Sequence, residues 1–328
     1  MIRPPAFWTS GGWPARMLSP LSGIIAAITA RRVARTGWQA PVPVICCGNV
    51  TVGGGGKTTL ALDLAARLNA RGVAVHVLLR GHGGSARGPR RVMPGDTAAV
   101  TGDEALLLAA VAPTWTGGDR AASARLAVAA GAGVLLMDDG LQNPSLAKAL
   151  SLLVIDGSTG FGNGLVLPAG PLRESVAAAA SRCRAAVLIG PDASGARAQL
   201  PSNLPVLQAS LEQSTGIAAL AGHRVLAFAG IAIPEKFFAG LERASVQVVS
   251  REAFADHHRF TLAELARLES KAKALNAILV TTPKDAVRLP LGMDAHVVDV
   301  RLVWDAEAEI EILLDELLAR PSSNSAPR

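Results

Sequence analysis

The sequence predicts an α/β protein in which a mostly parallel β-sheet is flanked by helices. Short β-rich runs alternate with helical runs, a strand, a glycine loop and a helix follow one another near residue 50, and half of the 328 residues are hydrophobic. No apolar run reaches the roughly 18 to 20 residues that span a bilayer, so the apolar residues are expected in buried strands and packed helices. The β-rich runs of the first series are Val73–Leu79, Val134–Met137, Leu152–Ile155 and Ala186–Ile189.

The first forty residues predict an amphipathic helix, with Ser19 as its N-cap and Pro20 at its first position. One face is apolar, the end is basic and tryptophans flank the segment, which suits a helix lying in a membrane interface and held to anionic lipid by arginines. A helix packed on the domain, with solvated arginines, is an equally open interpretation. The apolar residues are Leu21, Ile24, Ile25 and Ile28, the basic ones Arg31, Arg32 and Arg35, and the tryptophans Trp8, Trp13 and Trp38.

The segment that follows, residues 44–59, predicts a strand, a phosphate-binding loop and a helix start, as in P-loop nucleotide-binding proteins. Glycines let successive backbone N–H groups point inward, Lys57 supplies a charge for the β and γ phosphates, and the Thr58 hydroxyl can bind Mg²⁺. The first position of the pattern Gly-x-x-x-x-Gly-Lys-Ser/Thr is Thr51 here, and a glycine-rich turn with a chance Lys-Thr pair is the competing interpretation. The residues expected to contact ATP are Thr51, Val52, Gly53, Gly54, Gly55, Gly56, Lys57 and Thr58.

Two acids end the hydrophobic run that begins at Gly133. Asp138 and Asp139 would lie at the carboxyl end of a strand, where P-loop proteins place the acid that completes the Mg²⁺ shell. Asp-Asp-Gly is also common turn chemistry, so the metal role depends on the glycine loop being a true phosphate site.

Further polar loops are weaker candidates when taken alone. Asp103 opens an apolar helix, where an acid can simply favour the helix start. In the segment Asp256-His257-His258, two histidines offer a proton acceptor near neutral pH, although a solvated loop would look the same. Two glycine-bearing loops carry a cation at the same predicted sheet edge, and they are residues 80–84 and 167–174, with Arg173 and Glu174 in the second.

A second alternating series follows residue 207 and predicts a smaller α/β domain. Thr261 and Glu264 form a capping box for a helix that runs to about Leu275. We therefore expect an N-terminal membrane-interface helix region at 1–40, a P-loop domain at 41–215, a smaller α/β domain at 216–320 and a disordered tail at 321–328. The strands expected in this series are Arg224–Phe228, Val246–Val249, Ala277–Val280 and His296–Val300.

The composition limits the kinds of molecule that the protein is expected to bind. The net charge of +6 suits an anionic partner, but aromatic residues are sparse and no nucleic-acid-binding module is visible, so we expect no nucleic acid. The three cysteines, Cys46, Cys47 and Cys183, have no metal-ligand spacing and fit a reducing cytosol.

Taken in order, these segments resemble the tetraacyldisaccharide 4'-kinase family, which acts on lipid A precursors. The match extends over most of the chain, and the ordered set is specific although each motif alone could be accidental. Thr51 then follows the family's own loop pattern. The matching segments are residues 20–22, Arg31-Arg32, Gly48 to Thr58, Arg80-Gly81, Gly102-Asp103-Glu104, residues 138–142, Leu167 to Glu174, Asp256-His257-His258, Thr281-Thr282 and residues 284–287.

The resemblance implies ATP-dependent phosphorylation of the 4' hydroxyl of a lipid A disaccharide 1-phosphate, which gives lipid IVA. It also implies Mg²⁺ as cofactor and a peripheral position at the cytoplasmic face of a bacterial inner membrane, and we expect a monomer. By the same resemblance Asp103 matches the family's proposed base, assisted by either His257 or His258. Lys57 and Arg173 would lie near the transferred phosphoryl group, and Thr58, Asp138, Asp139 and Glu174 near the metal and phosphates.

The chain departs from the family pattern at a few positions, and the departures leave contacts with the acceptor open around residues 82 and 143. His82 stands where the family commonly has Tyr, Asn143 where it has His, Thr59 where it has Pro and Pro283 where it has Glu.

Three other classes of nucleotide-binding protein compete with the kinase as interpretations of the sequence. A membrane-associated assembly ATPase of the ParA or MinD type carries an extra Lys where Val52 stands. A GTPase needs Asn-Lys-x-Asp for guanine, and Pro283-Lys284-Asp285 has the wrong spacing. A soluble kinase of small metabolites differs only in lacking the first helix and the family motifs.

Overall fold

A computed structural model describes residues 5–53, 55–213, 215–290 and 292–319. The chain forms two sheets, one of nine strands and one of four, so the predicted α/β fold with a smaller second unit is confirmed. The strands are β1 Val44–Gly48, β2 Val75–Leu79, β3 Arg90–Arg91, β4 Thr114–Thr116, β5 Val134–Asp138, β6 Leu150–Asp156, β7 Ala185–Ile189, β8 Val206–Gln213, β9 Arg224–Ala229, β10 Gln247–Ala253, β11 Ile278–Thr281, β12 His296–Val297 and β13 Val300–Trp304.

Helices cover both faces of the sheets, and two short 3-10 helices lie at Arg197–Gln199 and Thr215–Leu220. The α-helices are α1 Phe7–Ser10, α2 Trp13–Val33, α3 Lys57–Ala70, α4 Ala98–Thr101, α5 Asp103–Ala109, α6 Arg120–Ala129, α7 Val176–Ala180, α8 Pro234–Arg243, α9 Leu262–Ala274, α10 Pro283–Ala286 and α11 Glu307–Leu318.

The large sheet has the strand order β13-β8-β7-β6-β1-β5-β2-β4-β3. Its inner strands are parallel, and only the outermost pairs, β13 with β8 and β3 with β4, are antiparallel. Every residue of β1, β2 and β5 is buried, because helices cover both faces. Ile45 and Cys47 join the core under α3, α5 and α11, whereas Val44 and Cys46 join the core under α6 and α7. This alternation leaves β1 and the loop after it at the centre of the sheet.

The small sheet has the order β10-β9-β11-β12 and is parallel throughout. Helix α8 packs on one face through Phe237, Phe238 and Leu241, and α9 packs on the other through Leu265 and Leu268. At the start of α9, Thr261 and Glu264 form the predicted capping box, with both reciprocal hydrogen bonds present.

The chain returns to the large sheet after residue 297. The predicted strand His296–Val300 is wrong as a single element, because β12 pairs with β11 in the small sheet and β13 pairs antiparallel with β8 in the large one. Helix α11 then docks on α3, where Arg67 contacts Glu307 and Glu311. The division of the chain into domains stays a prediction, and β13 and α11, within the range 216–320, lie with the large sheet. The expected tail at 321–328 is outside the described residues.

The predicted amphipathic helix corresponds to α2 and begins earlier than predicted. Ser19 is not its N-cap, since α2 starts at Trp13 with Pro14 in its first turn, and Pro20 lies inside the helix. Pro20 has no N–H for the carbonyl of Arg16, and the Ser19 hydroxyl donates to that oxygen instead, at 2.8 Å. The Ser19–Pro20 pair, which resembles a helix start in the sequence, therefore lies inside the helix, where the serine hydroxyl replaces the missing backbone donor.

One face of α2 is exposed and apolar. Of the predicted stripe, Ile25 packs with Ala26 against the core, whereas the other three residues face outward. No helix among the described residues has both the length and the apolar character needed to cross a bilayer. The exposed residues, which we call the α2 stripe, are Trp13, Met17, Leu21, Ile24 and Ile28.

If α11 is part of the large-sheet core, replacing Leu314 by Ala should lower the free energy of unfolding by about 2 to 5 kcal/mol, because Leu314 is fully buried in that core. Ile312, on the same helix but 56 % exposed, provides the matched control, and its replacement by Ala should cost about 0.5 kcal/mol or less. Urea denaturation of both variants measures the difference. Equal losses would mean that α11 is only loosely attached.

Candidate active site

The glycine loop connects β1 to α3. Gly56 ends the loop with a φ of +83°, a left-handed conformation that favours glycine. Lys57 follows as the first residue of α3, with its Nζ donating to the Gly53 carbonyl at 3.3 Å. Gly54 lies outside the described residues. The loop therefore presents backbone N–H groups and a lysine where a helix begins.

Thr51 has a structural reason to differ from glycine. It forms an isolated bridge with Leu172, and its hydroxyl accepts a hydrogen bond from Asn49 Nδ2 at 3.0 Å. The next residue, Val52, donates its N–H to the carbonyl of Pro171 at 2.9 Å. The loop is thus fixed to the segment that carries Arg173, and extended backbone replaces the tight turn of a glycine.

Thr58 and Asp138 form a pair that fits a divalent cation. The Thr58 hydroxyl donates to Asp138 Oδ2 at 2.9 Å, while Asp138 Oδ1 is buried without a hydrogen-bond partner. Burial and the negative charge of Glu104 raise the pKa of Asp138 to about 7. A hydroxyl and a carboxylate are ligands that Mg²⁺ prefers, and a bound cation would favour the ionised form of this carboxyl. Within the described residues no group of three or more His, Cys, Asp or Glu side chains is arranged to hold a metal ion.

Asp139 faces the cations of the site. It adopts a φ of +52°, and its carboxylate accepts two hydrogen bonds from Arg173 Nη1, at 2.9 and 3.1 Å. The Lys57 ammonium lies 3.8 Å from the same carboxylate. Asp139 therefore holds Lys57 and Arg173 at one place on the carboxyl edge of the sheet.

Glu174, predicted to lie near the metal and phosphates, accepts hydrogen bonds from neighbouring side chains. It is buried, and its carboxylate accepts hydrogen bonds from Arg182 at 2.7 and 2.8 Å and from Gln142 at 2.9 Å. These donors engage both of its oxygens. In this arrangement Glu174 positions Gln142 and Arg182, and its predicted metal role stays untested.

Asp103 and His257 meet across the two sheets. Asp103 is buried at the start of α5, and His257 Nδ1 lies 2.8 Å from its Oδ2 atom. Burial raises the pKa of Asp103, but the hydrogen bond from His257 and the charges of Lys284 and Arg288 lower it more strongly, so the pKa falls below its ordinary value. The carboxyl is therefore ionised at neutral pH and able to accept a proton.

The structure distinguishes the two histidines. His257 has a φ of +60°, which turns its ring toward Asp103. His258 instead places Nε2 3.1 Å from Glu264, and its ring stacks on Phe254 and meets Phe260 edge-on. Of the two alternatives left open by the sequence, His257 is the histidine that contacts the predicted base.

These residues lie within a region that a family model matches in full. The model for the Tetraacyldisaccharide-1-P 4'-kinase matches residues 14–319. The chain belongs to this family. Among curated relatives, a tetraacyldisaccharide 4'-kinase of Gluconacetobacter diazotrophicus is 56 % identical, with 97 % of this chain and 99 % of the relative covered. One of Rhodospirillum centenum is 50 % identical, with 97 % of each chain covered.

A solved structure supports the fold. The crystal structure of LpxK from Aquifex aeolicus in complex with ATP superposes with a TM-score of 0.75 at 24 % identity, covering 93 % of this chain and 100 % of that one. At this identity the likeness concerns the fold, and it extends over both sheets.

Three residues near the site of this tetraacyldisaccharide 4'-kinase family member were missed from the sequence. Arg120 is buried with its Nε atom unpartnered, and burial lowers its pKa to about 10. Lys284 and Arg288 approach His257 and Asp103 at 3.4 and 3.7 Å. Lys284 belongs to the family-matching segment 284–287 but was given no role there, and Arg288 directly follows that segment. For Arg120, only its place after a Gly-Gly-Asp loop could have drawn attention.

Asp138→Asn should raise the Mg²⁺ concentration needed for half-maximal activity by roughly tenfold or more, because an amide is a poorer ligand for a hard cation. Glu174→Gln is the matched control. It should leave the Mg²⁺ dependence unchanged while lowering the free energy of unfolding by about 1 to 3 kcal/mol, since it weakens the hydrogen bonds from Arg182. Activity titrations with Mg²⁺, together with urea denaturation, give both quantities. A raised Mg²⁺ requirement in Glu174→Gln would move Glu174 back to the metal.

Proposed function

We propose that this protein is an ATP-dependent kinase that phosphorylates the 4' hydroxyl of a tetraacyldisaccharide 1-phosphate, a lipid A precursor, to give lipid IVA. The observation that carries the proposal is the ionised Asp103 carboxylate, which accepts a hydrogen bond from His257 at 2.8 Å near the glycine loop. Glu104, the next residue, is close enough to Asp138 to affect its pKa, so base and phosphate loop share one site. The names of the relatives agree with this reaction.

Each of the candidate site residues would have a separate role in phosphoryl transfer. Backbone N–H groups of the loop and the Lys57 ammonium would hold the β and γ phosphates, and Asp103 would accept the proton of the acceptor hydroxyl. Arg173, held by Asp139, lies ready to neutralise charge on the transferred group. Mg²⁺, held by Thr58 and Asp138, would supply further charge neutralisation. Because this chemistry needs mainly positioning and charge, weak basicity in Asp103 is sufficient.

A basic cleft supports an acceptor that already carries a phosphate. It has a volume of about 600 Å³ and lies between the end of α2 and the loops that follow β4 and β5. Within the described part of the chain, none of its arginines has a side-chain hydrogen bond or ion pair. Their charges are available to an anion. The lining arginines are Arg31, Arg32 and Arg35, and Asn143 lies opposite them.

The α2 stripe supports attachment to an anionic membrane surface, and we place the enzyme at the cytoplasmic face of the inner membrane, as a peripheral monomer. Trp13 is 76 % exposed and Met17 73 %, and the stripe leads into the basic cleft. An exposed apolar face beside arginines suits a helix that lies at the level of the lipid headgroups. Such a position would bring a lipid acceptor to the site without its leaving the bilayer.

Replacing Lys57 by Met should abolish transfer of the labelled γ phosphate of ATP to a tetraacyldisaccharide 1-phosphate in detergent, because the charge that meets the β and γ phosphates is lost. Lys273→Met, at an exposed position of α9, is the control and should keep wild-type activity. Thin-layer separation of the labelled lipid measures the product. If the wild-type protein hydrolyses ATP but labels no lipid, the kinase proposal is wrong and an ATPase switch takes its place.

Changing Leu21, Ile24 and Ile28 together to Gln should release the protein from anionic vesicles and raise the apparent KM for the lipid, with little effect on a water-soluble short-chain acceptor. These side chains are more than half exposed, so the fold should tolerate the change. Leu262→Gln combined with Ile312→Gln removes exposed apolar surface elsewhere and should leave vesicle binding intact. Vesicle sedimentation measures attachment, and persistent binding of the triple variant would refute the membrane role of the α2 stripe.

A further inference from the structure

The Asp103–His257 pair has a neighbour that the proposed reaction leaves without a role. Lys284, the second residue of α10, places its Nζ atom 3.4 Å from His257 Nε2. Its ammonium also lies 3.6 Å from Asp256 Oδ1 and 3.9 Å from Glu104 Oε1. Lys284 is three-quarters buried, so its charge acts on this cluster with little screening by water.

The positions of the donors and acceptors fix where the imidazole proton lies. Nδ1 faces the Asp103 carboxylate at 2.8 Å, and a carboxylate without a proton can only accept, so Nδ1 carries hydrogen. Nε2 faces an ammonium, which can only donate, so Nε2 must offer its lone pair. A neutral imidazole protonated on Nδ1 satisfies both contacts, whereas an imidazolium would turn an N–H toward a positive charge.

Other charged groups around His257 favour a second proton on its ring. Asp256 Oδ2 lies 3.7 Å from His257 Nε2 and would favour a second proton there, as does the negative charge of Asp103. On the cationic side, Arg288 lies 3.7 Å from Asp103. It donates hydrogen bonds to the Asp285 carboxylate and to the backbone carbonyls of Gly230, His258 and Lys284. The ring of His82 lies 6.3 Å from that of His257. Among the cations named here, Lys284 is the one that contacts His257 Nε2, at 3.4 Å.

We propose that Lys284 is a positioning residue that holds His257 as a neutral imidazole with its proton on Nδ1. Asp103 then accepts a hydrogen bond from a neutral ring and does not form an ion pair with an imidazolium. The catalytic consequence rests on the proposed kinase function. The protonation state of His257 does not rest on it, since the contacts that determine it belong to the protein alone.

Loss of the ammonium has a defined chemical effect. With Lys284→Met, the carboxylates of Asp103 and Asp256 face the imidazole without the ammonium at Nε2, so the proposal expects the ring to gain a second proton. The imidazolium then pairs with Asp103 and makes it a weaker proton acceptor. The acid limb of the kcat profile should move up by roughly one to three pH units, with kcat recovering at high pH and the KM for ATP unchanged.

Two measurements test the proposal on the full-length protein. In ¹⁵N-histidine spectra recorded without substrates, the wild type should give a neutral, Nδ1-protonated His257, assigned by its absence from His257→Gln. Lys284→Met should give an imidazolium, Lys284→Arg should keep the neutral ring because it keeps the charge, and Asp256→Asn combined with Lys284→Met should shift the ring back toward neutral. Lys271→Met, on α9, is the control that should change nothing.

The outcomes separate the proposal from the kinase function. An imidazolium in the wild type, or an unchanged His257 spectrum in Lys284→Met, would overturn the positioning role whatever the activity of the enzyme. A loss of kcat that is equal at every pH would also overturn it, because that result indicates a general structural defect. If the wild type transfers no phosphoryl group but the spectra behave as described, only the proposed function fails.

Discussion

The hydrogen bond between His257 and Asp103 is the contact on which the rest of the site depends. Asp103 belongs to the unit built on the large sheet and His257 to the loop after β10 of the small one, so neither sheet completes the site alone. Arg288 reinforces the junction, since it donates to the backbone around His257 and lies 3.7 Å from Asp103. A second link joins Lys236 of α8 to Asp156 at the end of β6, at 3.0 Å. The relative position of the sheets is therefore part of the chemistry.

Charge is distributed unevenly along the carboxyl edge of the large sheet. Asp139 engages Lys57 and Arg173, whereas buried Arg120 has no carboxylate within ion-pair distance among the residues that the structure describes. Burying a cation without a partner is costly, and proteins accept the cost where an anion is to be bound. A nucleotide and a phosphorylated acceptor would supply those anions.

The sequence allowed most elements to be predicted, because buried parallel strands and a capping box leave local patterns. Non-local choices were out of reach. The run from His296 to Val300 contains three valines typical of a strand, and only the pairing partners divide it between two sheets. Adjacent residues His257 and His258 carry identical chemistry, so the left-handed backbone at His257 had to be observed. The Ser19–Pro20 pair does lie in a helix, but the Ser19 hydroxyl bonds a carbonyl in the helix interior and does not cap the helix start.

The return of the chain to the large sheet makes the small sheet an insertion between two paired strands. Val300 of β13 lies directly opposite Gln213 of β8, so the inserted segment leaves and re-enters at neighbouring points. Both connections of the small sheet therefore reach the large sheet at one place. The register of β8 with β13 thus contributes to where the small sheet, and with it His257, lies against Asp103.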